Sequence, residues 1–120
     1  MAAADLDPGR ALADLRALRE LTEDERGAQR VAWTETWAKA RAWLRERLGE
    51  LPLEVDVDEA GNLWAVLQGA RAETVVIGSH VDSVPDGGWL DGALGVLGGL
   101  EVLRAIAARE ERPPVTLALV

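Results

Sequence analysis

The sequence contains no cysteine, which excludes disulfides and thiolate metal sites and permits a reducing compartment. It contains a single histidine, His80. It has 13 basic residues against 21 acidic ones, for a formal charge of −8. Of the bases only Lys39 is a lysine, a compositional bias. Nothing gathers into a basic patch, so nucleic acid is not an expected partner. No apolar run approaches the ~20 residues that would span a membrane. The opening MAAADLDPGRALADL lacks an apolar core and carries acids early, unlike a secretory signal. A cytoplasmic location is expected. There is no GxGxxG turn after a strand and no GK[ST], so dinucleotide and P-loop readings fail. Repeats and low-complexity segments are absent.

What is there is enough for one domain or part of one: 120 residues, 48% apolar. Asp7-Pro8 fits a helix start, and Leu12, Leu15 and Leu18 give a helical stripe over about 8–20. The segment 21–32 is ambiguous. Thr22 and Glu25 match a capping box, whereas Gly27 and the polar density favour a loop. A loop to about Trp33 is preferred. Thr34 then caps a helix over about 35–48, with Trp33, Trp37, Ala40, Leu44 and Leu48 on one face packed into the core. Residues 51–57 alternate apolar and acidic side chains, as a half-exposed strand does. The row Glu54, Asp56 and Asp58 is the solvated side of that strand. The turn 58–62 and the run 63–67 complete a β-hairpin. A central, buried strand is expected at 73–77, a helix at 91–108, and after Pro113-Pro114 a strand at 115–120. Two strands joined by such a helix form a parallel βαβ unit, so the sheet is mixed and the fold class α/β. A chain that stops within an apolar strand suggests truncation inside a larger domain.

The stretch 75–103, VVIGSHVDSVPDGGWLDGALGVLGGLEVL, organises the rest. It holds His80, Asp82, Asp91 and seven of the twelve glycines. Strand, polar loop and helix follow one another, and ligands collect at the carboxyl ends of strands in such folds. Residues two apart in extended chain share a side, so Asp82 can orient His80 as a carboxylate orients a metal-ligating imidazole. Asp91 has two readings, a helix N-cap or a carboxylate bridging two cations. One histidine and one aspartate cannot complete such a site, because catalytic zinc takes about three protein ligands per ion. Each of Gly92, Gly95, Gly98 and Gly99 costs a helix about 1 kcal/mol relative to alanine. Gly92, Gly95 and Gly99 share a face, which points to close approach to the sheet or a neighbouring segment.

The run GSHVDSVPDGGWLDGALGVLGGLEVLR closely resembles the metal-binding segment of the hydantoinase/carbamoylase group of zinc-dependent amidohydrolases, in the M20 metallopeptidase superfamily. That group includes N-carbamoyl-L-amino-acid hydrolases, β-ureidopropionases and allantoate amidohydrolases. DEAGNLWAVLQG resembles the hairpin that precedes the segment there. The likeness covers about 30–120 and is most specific at 78–95. It implies the N-terminal part of a mixed-sheet, phosphorylase/hydrolase-like metallohydrolase catalytic domain: two helices, a hairpin, then the βαβ unit. By position, His80 resembles a ligand of one metal, Asp91 the carboxylate bridging two, and Asp82 the site residue holding His80. The Asp91–Gly92 peptide is expected in cis. The short P-x-GG-x-x-DG loop favours the carbamoylase branch over M20 dipeptidases and N-acyl-amino-acid deacylases. The resemblance implies two divalent ions, zinc foremost, with manganese, nickel or cobalt as alternatives. It implies hydrolysis of linear amide or ureido C–N bonds in a small-molecule substrate, and a homodimer. A Glu-Glu pair supplying the general base, further ligands and a lid/dimerisation domain are expected beyond Val120. The chain alone is then expected to be inactive and to aggregate through uncovered apolar strands. A non-catalytic α/β binding module is the remaining alternative.

Overall fold

The structure, a computed structural model, describes residues 5–120. The first four residues of the N-terminal stretch lie outside the described part. The elements run α1 (Pro8–Thr22), β1 (Glu23–Asp24), β2 (Gly27–Ala28), α2 (Glu35–Gly49), β3 (Glu54–Val57), β4 (Leu63–Leu67), β5 (Arg71–Ile77), α3 (Ala93–Ala107) and β6 (Val115–Leu119). Strands β3–β6 form a four-stranded sheet in the order β3-β4-β6-β5. The β3–β4 and β4–β6 pairs are antiparallel and β5–β6 is parallel. The mixed α/β class and the βαβ unit are as expected.

Local chemistry accounts for the helix starts. The Asp7 side chain accepts from the Gly9 amide, with Pro8 in the first turn. The Thr34 hydroxyl accepts from the Trp37 amide. Thr22 does not cap a helix. It sits buried in the last turn of α1 and donates to the Leu18 carbonyl at 2.7 Å. The capping-box reading therefore fails, and the chain beyond Thr22 folds into the short β1–β2 hairpin.

Pleat alternation sorts the sheet into two faces. Ala65, Leu67, Leu117 and Leu119 point into one core with Leu15 and Leu18 of α1, Ala40, Leu44 and Leu48 of α2, and Val96, Leu97, Leu100 and Leu103 of α3. Fully burying one such leucine contributes about 1.5–3 kcal/mol. Charged residues tie the helices together at the margin of this core. Asp14 of α1 pairs with Arg104 of α3 at 2.7 Å and with Arg47 of α2 at 3.5 Å. Glu101 of α3 pairs with Arg10 at 2.7 Å and accepts from the Asp7 amide at 2.8 Å.

Three expectations are corrected. Among the described residues, strand β5 is not central or buried: it lies at the edge of the sheet, and Val75 and Val76 are 52% and 51% exposed. An apolar run carries no information on strand order. The crossover through α3 sets that order, seating β6 between β4 and β5. Trp33 is not in the core. It is 77% exposed, because its backbone turns to φ +71° just before the cap and aims the ring outward. The helix begins at Ala93, with Gly92 as its cap residue and no side-chain capping bond, so Asp91 is not its N-cap. No helix among the described residues is long and apolar enough to cross a membrane.

Candidate metal centre

The connection from β5 to α3, residues 78–92, carries all three predicted site residues. Its first residues are fixed by the sheet: the Ser79 amide donates to the Val120 carbonyl at 3.1 Å. Its last residues are fixed by the glycine face of α3. A Cβ on Gly95 would lie 2.7 Å from the Ser79 Cβ, and one on Gly99 would lie 2.7 Å from Leu119 Cδ1. The close approach read from the glycine spacing is therefore present. Ser79 completes the junction by donating its hydroxyl to the Gly92 carbonyl at 2.8 Å. The Asp91–Gly92 peptide is not cis, since the described chain contains no cis bond. The sharp turn is made instead by Gly92 itself, at φ +68°.

His80 and its two aspartates come together here. The imidazole Nδ1 is 3.1 Å from the Asp82 Oδ1 and 3.1 Å from the Asp82 carbonyl oxygen. On the opposite side of the ring, Nε2 faces the Asp91 Oδ2 at 3.6 Å. One carboxylate thus holds the ring through one nitrogen. The second nitrogen and a second carboxylate, both well exposed, share the space in front of it. That donor set fits a divalent cation in part: an imidazole nitrogen with its orienting partner, and a carboxylate free to join it. The part is incomplete, because among the described residues no group of three or more His, Cys, Asp or Glu could hold a metal ion. The acid row on β3 forms no such group either. Asp58, at its end, closes the hairpin turn by accepting from Asn62 and from the Trp64 indole at 2.9 Å.

His80 and Asp82 also line a cleft of about 260 Å³. Its other wall is α2 and the residues before it. Trp33 packs on Trp37 with ring centroids 4.8 Å apart, and the Arg41 guanidinium lies 4.9 Å over the Trp37 ring. Arg41 donates to the Gly61 carbonyl of the hairpin turn at 2.8 Å. The tryptophans assigned to the core thus include two that border the site.

Sequence reasoning missed Arg30, which is fully buried beneath the loop. Its guanidinium donates to the Val81 carbonyl at 2.5 Å and the Trp89 carbonyl at 3.2 Å. Burial pulls its pKa below the ordinary arginine value, with Asp82, Asp91 and Glu23 acting in the opposite direction. Ser83, also buried, accepts from the Arg30 amide at 3.1 Å and donates its amide to the Arg30 carbonyl at 3.0 Å.

Comparisons with known proteins bear on this geometry. In sequence, the chain is 33% identical over 96 residues to the allantoate amidohydrolase of Bacillus subtilis, covering 78% of this chain and 23% of that protein. It is 39% identical over 85 residues to the N-carbamoyl-L-amino-acid amidohydrolase of a Pseudomonas species, covering 69% and 20%. In structure, 97% of it superposes on 29% of a hydantoinase/carbamoylase family amidase from Burkholderia ambifaria, with TM-score 0.90 and 33% identity. Over nearly its whole length the chain is similar to hydantoinase/carbamoylase family amidases. The sequence model that matches is that of Peptidase family M28, over residues 62–120, where the resemblance had pointed to M20. The chain spans about a fifth to a quarter of the length of these curated relatives.

Proposed function

We propose that the full-length protein hydrolyses a linear amide or ureido C–N bond in an N-carbamoyl-L-amino acid or an allantoate-type substrate. His80 and Asp91 would be ligands in its metal centre, and Asp82 the residue that orients His80. The observation that carries this reading is the two-sided engagement of one imidazole, with Nδ1 held by Asp82 and Nε2 turned to Asp91. The names of two sequence relatives, allantoate amidohydrolase and N-carbamoyl-L-amino-acid amidohydrolase, support the substrate class.

In this reading Asp82 fixes the tautomer of His80 by accepting from Nδ1–H, which leaves the Nε2 lone pair for a cation. Asp91 has two oxygens and can serve two ions, zinc foremost; manganese, nickel and cobalt suit the same donors. A bound divalent ion supplies Lewis-acid polarisation of the scissile carbonyl. Ser79 holds the start of α3 against the loop and keeps the two donors at their spacing. The Trp33–Trp37 wall shields one side of the cleft from water. The general base, the remaining ligands and a dimerisation domain would come from residues outside this chain. A small-molecule substrate, a homodimer, a cytoplasmic location and the M20 placement complete the reading.

The test is made on the full-length protein. His80→Ala should lower bound metal and abolish hydrolysis of N-carbamoyl amino acids and allantoate. Full metal content with retained activity in that variant would overturn the assignment. Faster turnover of dipeptides or N-acyl amino acids than of ureido substrates by the wild type would move it to the peptidase branch.

A further inference from the structure

The loop 78–92 must hold His80 and Asp91 face to face, although it has no regular structure and several glycines. Its two stems are anchored by one segment far away in sequence. The Ala28 amide donates to the Gly87 carbonyl at 2.9 Å, and the Gly87 amide returns to the Ala28 carbonyl at 3.0 Å. Gln29 reaches Asp86 through both ends of its amide: Nε2 donates to Oδ1 at 2.6 Å and Oε1 accepts from the Asp86 amide at 3.1 Å. Arg30 lies at the centre. Its Nε bonds the carbonyl of Val81, between His80 and Asp82, and its Nη2 bonds the carbonyl of Trp89, two residues before Asp91. A third nitrogen, Nη1, is 3.5 Å from the Thr22 hydroxyl.

Packing alone does not account for this residue. A buried guanidinium is costly unless its hydrogens and charge are met, and a methionine would fill a similar space without that cost. The fork can bond two carbonyls at once in fixed geometry, which neither methionine nor lysine can do. No carboxylate among the described residues pairs with Arg30 within ion-pair distance. Its field instead reaches Asp82 and Asp91 together.

We propose that Arg30 is a positioning residue of the metal centre. By bridging the Val81 and Trp89 carbonyls it sets the separation of His80 from Asp91. This rests on the proposed function, since it presumes that His80 and Asp91 ligate a metal.

The experiment uses the full-length protein as wild type, His80→Ala, Arg30→Met and Arg30→Lys. Zn²⁺ affinity is measured by competition with a chelator, and the site is read by the visible spectrum of bound Co²⁺. Wild type should bind, and His80→Ala should not. Arg30→Met should lose 10–100-fold in affinity, the range for outer-shell partners, with an altered Co²⁺ spectrum. Arg30→Lys should recover less than tenfold, because one ammonium cannot reach both carbonyls in the same geometry. If wild type binds no metal, the proposed function itself has failed, and this inference with it. If wild type and His80→Ala behave as stated but Arg30→Met keeps the wild-type affinity and spectrum, only the positioning role is overturned. If Arg30→Met does not fold, the lysine variant decides: wild-type affinity and spectrum there overturn the role, and so does a failure of both variants to fold, which would make Arg30 a general structural staple.

Discussion

Gly92 stands directly over His80. A Cβ at position 92 would lie 2.3 Å from the His80 carbonyl oxygen and 2.5 Å from its ring, and the backbone there has φ +68°. Both facts forbid a side chain. Left-handed backbone alone costs an L-residue about 1–2 kcal/mol, and the clash must be relieved by moving both the His80 backbone and its imidazole. Gly92→Ala should therefore lower the melting temperature and also separate His80 from Asp91. Gly88 has nothing within 4 Å of a Cβ and no positive φ, so Gly88→Ala should change stability by less than about 0.5 kcal/mol. Thermal melts of the two variants, followed by circular dichroism, check the contrast. Equal effects would mean that the loop does not hold His80 against the start of α3.

Asp82 differs in kind, because it acts on the ring rather than on the fold. Its side chain is substantially exposed and its bonds are to His80 alone. Asp82→Ala should leave the melting temperature within a few degrees of wild type. In the full-length protein it should lower metal affinity about 10–100-fold, as loss of an orienting carboxylate does. Isothermal titration with Zn²⁺ measures the effect, and an unchanged affinity would remove Asp82 from the site.

Acid stability draws on carboxylates whose pKa the fold lowers, Asp58 and Glu101 among them. The Trp64 indole and Asn62 hold Asp58 down to about 2 from an ordinary 3.8. Burial raises the Glu101 pKa, but hydrogen bonds from Arg10 and the Asp7 amide outweigh it and leave a net lowering. A carboxylate with a folded pKa below its unfolded one stabilises the fold above the unfolded value and loses that contribution as pH falls through the folded value. Stability should thus be flat near neutrality and decline from about pH 4 toward pH 2. A carboxyl-carbon NMR titration should place the Asp58 midpoint near 2. A midpoint at 3.8 would mean that the hairpin turn is open in solution.

The elements most legible in the sequence were those whose causes are local. Thr34 caps α2 because its own hydroxyl reaches three residues on, and the β3–β4 hairpin follows from alternation around a turn. The His80–Asp82 contact was legible too, since spacing two in extended chain is geometry. The segment 21–32 was not. Its partners lie more than fifty residues away, at Val81, Ser83, Asp86 and Trp89, and an arginine between Gln29 and Val31 looks locally like any surface charge. Position in the sheet escaped for a related reason. The run Val75–Val76–Ile77 reads the same at an edge as at a centre, and only the pairing of β6 with both β4 and β5 decides it. The outward turn of Trp33 had no signal in residue type, since positive φ is rare for a bulky side chain.

Two adjacent glycines in α3 separate helix propensity from packing. A Cβ on Gly98 would meet nothing within 4 Å, so Gly98→Ala should gain the helix preference of alanine, up to about 1 kcal/mol. A Cβ on Gly99 would lie 2.7 Å from Leu119 Cδ1 and 3.0 Å from Ile77 Cγ2. The same propensity gain is available there, but overpacking a filled core costs about 1–3 kcal/mol, and Ile77 and Leu119 pair with each other in one rung of the β5–β6 ladder. The second effect should win, so Gly99→Ala should melt below wild type while Gly98→Ala melts above it. Opposite signs one residue apart can arise only if α3 lies with its Gly99 face against β5 and β6, the seating that also brings Gly92 over His80. If Gly99→Ala proved as stable as Gly98→Ala, that seating would be wrong, and with it the placement of Asp91 opposite the imidazole.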